Sequence, residues 1–523
     1  MIDPDLYAFS ALWRHYRQCR RNKRNTRNAL AFEINAEVNL LALQQELRAH
    51  TYRPGRSICF VTDGPKPREV FAADFRDRVV HHLLVSHQER LFEPRFIHDS
   101  YACRTGKGTL AASDRLMTFL RQVTANGRRP AWALKLDVAN FFPSIHKATL
   151  AAILARHLRH PELLWLMRTL LFHDPTTNYY FQSHDASGPG SPHYPVPPHK
   201  SLFGKHNERG LPIGNLTSQF WGNVYLNDLD HFVKRTLQCQ QYLRYVDDMV
   251  LLALDPETLA QWGAAIATFL RQRLHLTLRP ELTTPFPVRQ GIDFVGWRTW
   301  WNRRLPRRRT LGNLRMRLET FERTAVRPMW DGKARHIDLR RQDATGSIAR
   351  LHAVLASYAG HVRHGAARRA WEALWQQYPW LAALFRRQDW ALDVRWSPHR
   401  LAHLSRFQAQ YGHVLRHTGD TCLVFFPYGR FLEFYGPQRL VAAPALGLHS
   451  RLLPRASYAF AAGFPVWLAG VYTSRAVRQG LSVVQFRQER ALLHHRYTVR
   501  LPCRLWLPTT PGASGSSGAG HAP

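Results

Sequence analysis

The stretch QQYLRYVDDMVLLAL, Gln240 to Leu254, sets two adjacent aspartates, Asp247 and Asp248, between apolar and aromatic runs. Runs rich in Val, Leu and Tyr pair as strands, so the two acids belong at the bend of a mostly buried hairpin. Carboxylates with such flanks destabilise the fold unless positive charge meets them. A second strand-like segment, PAWALKLDVANFFPSI, ends on another acid, Asp137, and breaks at Pro143. It lies 110 positions upstream (247 minus 137). Carboxylates converging from different strands suit chemistry on phosphates. Their hard oxygens hold Mg2+ with room left for substrate oxygens, and a pair of such ions stabilises an in-line displacement. A surface turn carrying two acids is the alternative for VDD alone. The apolar flanks and the strand-end Asp137 weigh against it.

Composition points the same way. The 523 residues carry a formal net charge of +35 and a pI near 10.9, which calls for a polyanionic partner. A general arginine bias is the plainer explanation of that charge. The 16 Trp, 18 Tyr and 28 Phe spread among the basic residues suit base stacking as well as core packing. The six cysteines are scattered with no CxxC pair, so neither a zinc site nor a disulfide framework is expected, and a reducing cytoplasm fits. The opening residues hold no long apolar run, and no segment reaches the roughly 20 apolar residues of a membrane span.

At this length several domains are expected. NAEVNLLALQQELRAHTY reads as helix, with Leu40, Leu43 and Leu47 on one face. SICFVTDGPKPREVFAAD reads as two strands about a turn, and FRDRVVHHLLVSHQERLFEPRF as helix. Residues 173–209, dense in Pro, Gly, Ser and His, read as a loop or insertion outside the core. NLTSQFWGNVYLNDLDHFVKRTL reads as one long helix, residues 310–387 as helical and basic, and the last 120 residues as short apolar strands. The end, PTTPGASGSSGAGHAP, has the composition of a disordered tail.

At YVDD (Tyr245–Asp248) and KLDVANFFPSI the chain resembles the reverse transcriptases, over about residues 30–385. The resemblance implies an α/β (α+β) right-hand polymerase fold. Its expected parts are an N-terminal region and fingers (1–130), a palm (131–300, with the insertion 173–209) and a helical thumb (301–390). It implies that Asp137 and Asp247 hold two Mg2+ ions, for which Mn2+ can substitute, with the Val138 carbonyl contributing and Asp248 more peripheral. Phe142 matches the aromatic that excludes a ribose 2′-hydroxyl, a core aromatic being the alternative. KPREVFAADFRDRVVHHLL resembles the fingers, where Lys66 and Arg68 would meet the incoming triphosphate. Arg76 and Arg78 would hold template phosphates or an internal ion pair. SYACRTGKGTLAA, similar to a segment of group II intron enzymes, adds Arg104 as a nucleic-acid contact. GIDFVGWR falls where the primer-gripping hairpin belongs. Many relatives carry a lysine general acid after the catalytic hairpin. This chain offers Arg279, which binds phosphate but donates a proton poorly.

The sequence LPIGNLTSQFWGN places Ile213-Gly214 and Ser218-Gln219 where most relatives have a QGxxxSP-like motif. This IGxxxSQ form and the PPHKSLF insertion are similar to the reverse transcriptases of diversity-generating retroelements, which implies error-prone copying of template adenines. Gly214 would let the backbone approach the nucleotide, and Gln219 puts a flexible amide in place of proline. Alternatively these residues only shape the entry to the palm helix. A weaker resemblance, at about 400–505, is to the mismatch-recognition domain I of MutS, with Phe431 and Glu433 on its Phe-x-Glu positions. It implies a small C-terminal α/β domain before a disordered tail at 508–523. The helix before RQGLSVV is expected to be almost absent, reduced to VYTSRAV. A small domain kept for packing, with Phe431 in its core, is the alternative.

The expected activity is therefore RNA-directed DNA synthesis from an RNA template, a DNA primer and deoxynucleoside triphosphates, with a structured RNA and an accessory protein as further partners. Two alternatives stand beside the mutagenic retroelement. One is an antiviral-defence reverse transcriptase, templated or template-independent. The other is a non-catalytic polymerase fold that only binds RNA.

Overall fold

In the computed structural model the chain divides into two compact units, Met1–Arg303 and Arg304–Pro523. The residues described are 5–508, apart from 22–25, 63–66, 183–187, 190, 192–193, 329–333, 405, 420, 454–459 and 491–497. Lys66 and the tail beyond Pro508 lie outside them.

At the centre of the first unit is a four-stranded antiparallel sheet, ordered Tyr242–Tyr245, Asp248–Ala253, Trp132–Asp137, Phe286–Pro287. Strand alternation divides its side chains between two cores. Leu134, Leu136, Met249 and Leu251 pack with Ile266 and Leu270 of helix Pro256–Leu274. That helix starts where Pro256 needs no N–H partner and the Asp255 carboxylate caps the Thr258 N–H at 2.7 Å. On the opposite face Ala133, Leu243, Val250 and Leu252 pack with Leu116 and Leu120 of helix Thr109–Val123.

The N-terminal helix Ala36–Arg48 buries Leu40, Leu43 and Leu47 completely, as their spacing predicts. Strands Ser57–Val61 and Glu69–Ala72 pair antiparallel. Residues 173–209 depart from expectation. Their strand Tyr179–Phe181 joins this sheet parallel to Ser57–Val61. Glu69, 4% exposed, accepts hydrogen bonds from the Tyr194 hydroxyl (2.7 Å), the Ser201 hydroxyl (2.6 Å) and the Leu202 N–H (2.8 Å). The anchor lies more than a hundred residues upstream, so local composition carried no sign of it. The expected single helix after residue 215 is in fact Leu216–Tyr225, Asn227–His231 and a π-turn, Phe232–Thr236.

The second unit is built on an eight-stranded sheet. Its order is Val326–Pro328, Ala334–Asp338, Thr498–Pro508, Ser482–Arg490, Cys422–Tyr428, Phe431–Tyr435, Phe460–Pro465, Arg451–Leu452. Only the Cys422–Tyr428 and Ser482–Arg490 strands run parallel. Residues 310–387 are less helical than expected: Val326–Pro328 and Ala334–Asp338 interrupt the helices Arg308–Ala325 and Ser347–Val362. Leu314, Leu318 and Leu355 share one core with Val424, Phe426, Val484 and Leu505. VYTSRAV is not a remnant but most of a ten-residue helix, Ala469–Arg478, which buries Thr473, Ala476 and Val477. Among the described residues no helix is long and apolar enough to cross a membrane.

Candidate active site

Register brings the carboxylates together. Asp248 lies opposite Asp137 on one side and opposite Tyr245 on the other. Opposed residues share a face, and so do residues two apart on a strand. Along one face of the Trp132–Asp137 strand the residues therefore run Ala133, Lys135, Asp137. The face starts in the apolar cluster beneath helix Thr109–Val123 and turns polar where that cluster ends.

A two-residue turn, Val246-Asp247, closes the hairpin. Val246 has φ 58°, a left-handed conformation that a β-branched residue resists. Arg244 holds the turn: its Nη1 donates to the Val246 carbonyl at 2.7 Å and to Asn223 Oδ1 at 3.2 Å. Its Nε and Nη2 donate to Asp230 Oδ1 and Oδ2 at 2.8 and 2.6 Å. The Tyr242 hydroxyl adds a third bond to Asp230, at 2.7 Å. Arg244 and Asp230 are both completely buried. Sequence reading passed over this network. Its signal was an arginine in YLRY at a position whose alternation faces the core, where an unpaired cation is not tolerated.

Asp247 lies within hydrogen-bonding reach of Asp137. Burial first, and then the Asp137 charge beside it, raise the Asp247 carboxyl to about 7. Asp248 instead pairs with Lys135, Nζ to Oδ1 at 3.3 Å. Arg279 reaches Asp137 Oδ2 with Nη1 at 3.1 Å, and its N–H donates to the Asp137 carbonyl at 2.9 Å. Val138 pairs with Leu278 at a position where the flanking residues make the hydrogen bonds. Its own C=O therefore points away from Leu278, toward the hairpin.

This donor set fits a hard divalent cation. Mg2+ takes one or two carboxylates and leaves its other positions to water and substrate phosphates. Asp137, Asp247 and the Val138 carbonyl are such donors, and a shared proton is what two apposed carboxylates hold when no cation is bound. Among the described residues no group of three or more His, Cys, Asp or Glu is gathered for a metal, which agrees with Asp248 being turned to Lys135.

The raised Asp247 pKa makes a stability prediction. Between about pH 4 and about pH 7 the folded, cation-free protein holds a proton that the unfolded chain has released, so this group's contribution to stability falls as pH rises. The melting temperature of Asp247→Asn, relative to wild type in EDTA, should therefore rise from about pH 5 to about pH 8. Mg2+ should raise the melting temperature of wild type above that of the variant. A pH-independent difference between the two would count against the carboxylate pair.

Phe142 follows Asn140, itself left-handed (φ 48°), in the short helix Phe141–Ser144, and packs on Phe141 at 5.1 Å. Gly222 leaves room for both rings: a Cβ there would meet Phe141 at 3.2 Å and Phe142 at 3.3 Å. Gly214 is required by the packing of the backbone. At φ +121°, its Cβ would lie 2.8 Å from Val70 Cγ1 and 3.0 Å from the Phe71 carbonyl, so it lets two backbone segments meet. Gln219 is exposed and accepts from the Cys103 thiol at 3.6 Å.

Arg68, expected at the incoming triphosphate, is exposed; the cations expected on nucleic acid are Arg76, Arg78 and Arg104. Arg76 pairs with Glu46 and lies over the Tyr52 ring, which is the internal ion pair of its two readings. Arg78 Nε donates to the Ala73 carbonyl at 2.8 Å. Arg104, its side chain 7% exposed, binds Glu93 and the carbonyls of Ile97 and Ser100. These three brace the fold. In the second unit Phe431 is 43% exposed and so is not a core aromatic. Glu433 is buried and bound to the Tyr435 hydroxyl and Arg451.

Residues 65–299 match the family model described as reverse transcriptase (RNA-dependent DNA polymerase). This segment is a reverse transcriptase domain. It contains Asp137, Asp247, Asp248 and the Arg244 network. An uncharacterized 91 kDa protein in a cob intron of Schizosaccharomyces pombe is 24% identical over 183 residues, 35% of this chain and 19% of that protein. The chain thus spans about a fifth of that relative's length. Two solved telomerases match in part, each with a TM-score of 0.33. One, from Candida albicans with a fragment of telomeric RNA, is 12% identical over 49% of this chain and 46% of its own. The other, an apo telomerase from Candida tropicalis, is 11% identical over 52% and 58%.

Proposed function

We propose that the protein is an RNA-directed DNA polymerase that copies an RNA template into cDNA from deoxynucleoside triphosphates. The observation that carries this reading is the apposition of Asp137 and Asp247 at the open end of the central sheet, inside the matched segment. Asp137 and Asp247, with the Val138 carbonyl as a further donor, would hold divalent cations there, and when bound these would supply Lewis acidity for the attacking 3′-hydroxyl and positive charge for the leaving pyrophosphate. The Arg244 network keeps Asp247 at its position on the turn. Arg279, beside Asp137, offers a permanent positive charge to the triphosphate without giving up a proton. Lys66 and Arg68 meet the same triphosphate from the fingers, and the helices of 301–390 follow the duplex as a thumb.

Primer extension on poly(rA)/oligo(dT), comparing wild type with Asp247→Asn, tests the reading. Loss of incorporation in the variant supports it. Equal incorporation by both overturns the assignment of Asp247, and incorporation by neither supports the RNA-binding alternative.

Phe142 sets the choice of sugar in this reading. Phe142→Ala should raise the ratio of ribonucleotide to deoxynucleotide incorporation by about 10–100-fold, most of it through tighter use of the ribonucleotide. An unchanged ratio would make Phe142 only a packing residue.

The IGxxxSQ motif supports a finer reading, a mutagenic enzyme of the diversity-generating type that errs at template adenines. Errors spread evenly over the four template bases would remove it. The C-terminal segment adds a nucleic-acid contact after the manner of the MutS mismatch-recognition domain, with Phe431 as its stacking side chain. Glu433, neutralised by Arg451, takes no part in that contact. A structured RNA and an accessory protein are the further partners of this reading.

A further inference from the structure

The second unit contains a cavity of about 500 Å3, to which no residue of the carboxylate cluster contributes. Its walls include Trp380, Trp396, Val477 and Leu507, and two arginines, Arg395 and Arg478, open onto it. None of the described residues lining it is acidic. Arg395 is half-buried. Its Nε and Nη1 donate to the carbonyls of Ala382 (2.7 Å) and His417 (2.6 Å), which fix the guanidinium without neutralising it. No ion pair among the described residues includes Arg395 or Arg478. Burial works against the Arg395 charge and holds its pKa below the usual arginine value. A second observation points to a ligand. Trp380 is 2% exposed, yet its ring nitrogen has no hydrogen-bond partner among the described residues. Buried indole N–H groups ordinarily find an acceptor.

Two guanidiniums with no ion pair among the described residues call for an anion, and phosphate is the anion their fork geometry matches best. A bare inorganic ion would leave the apolar walls facing water, in a space of the size that holds an organic ligand. Two indoles in the lining, Trp380 and Trp396, suit a planar ring with acceptor atoms at its edge.

We propose that this cavity binds a nucleotide, its phosphate at Arg395 and Arg478 and its base bordered by Trp380 and Trp396. The chemistry is shared by a free mononucleotide and by the phosphorylated end of a strand. The site does not depend on the polymerase reading, because no residue of the carboxylate cluster contributes to it.

Calorimetric titration of the full chain in EDTA tests the site away from metal-dependent binding at the carboxylates. The probes are dAMP, a 5′-phosphorylated tetranucleotide, the same tetranucleotide without its phosphate, and inorganic phosphate. One saturable site is expected for dAMP, for the phosphorylated strand, or for both, whichever is the natural source. Arg478→Gln should weaken it about tenfold or more. That side chain is exposed at a helix end, so the variant should melt with wild type. Asp247→Asn should leave the binding unchanged. The site is overturned if neither nucleotide saturates, if inorganic phosphate binds as tightly, if Arg478→Gln has no effect, or if Asp247→Asn abolishes the binding. Strand binding indifferent to the 5′-phosphate, with dAMP silent, overturns it equally.

Discussion

Asp247→Asn is expected to lower the rate of primer extension by about 10^3-fold or more, with little change in affinity for primer-template. The side chain lies on a two-residue turn beside Asp137, where both carboxylates face one small volume. An amide there keeps the shape but removes half the negative charge that gathers a divalent cation. Asp137→Asn should act alike and also release Arg279 from its 3.1 Å contact. Asp248→Asn should be milder, about 10-fold, because Asp248 is already neutralised by Lys135. Single-turnover extension at saturating nucleotide measures all three. A loss for Asp248→Asn as deep as that for Asp247→Asn would mean that Lys135 does not hold Asp248 aside during the reaction.

The second large effect is expected at Arg244. Arg244→Ala leaves Asp230 as a buried, uncompensated charge and should lower stability by about 3–5 kcal/mol, read as an earlier unfolding midpoint in urea. Positioning and stability separate in the double variant Arg244→Met/Asp230→Leu. Removing both charges should return the midpoint close to that of wild type. Activity should not return with it, because nothing then donates to the Val246 carbonyl to hold the strained turn at φ 58°. A double variant as active as wild type would show that the turn keeps its shape unaided. Arg244→Lys keeps the charge but not the two-pronged contact with Asp230, and belongs between these cases.

Where the pattern was local, the sequence was enough. Apolar runs flanking Asp137 and VDD placed both strands and their acids. Leu40, Leu43 and Leu47 announced a buried helix face. Contacts made across long separations were not legible. The insertion at 173–209 has the composition of a loop, yet Glu69 ties it down. The missing Cβ of Gly214 clears space for the Phe71 carbonyl. Arg76 and Arg104 have the charge of phosphate contacts, but Glu46 and Glu93 already pair with them, and Arg78 is tied to the Ala73 carbonyl. A cation's partner depends on what the fold brings near it, which composition does not encode.

By itself, the sequence determined that three acids end or join apolar strands, that the chain is strongly basic, and that the motifs around the acids resemble those of reverse transcriptases. The resemblance already implied that Asp248 stands apart from the other two, and only the tertiary structure decided what divides them. Antiparallel register sets Asp137 against Asp248, the tight turn brings Asp247 to Asp137, and Lys135, two residues back on the same face, draws Asp248 off. The division follows from strand pairing and from one buried arginine, and neither the register nor the arginine's partner is written in the spacing of the acids.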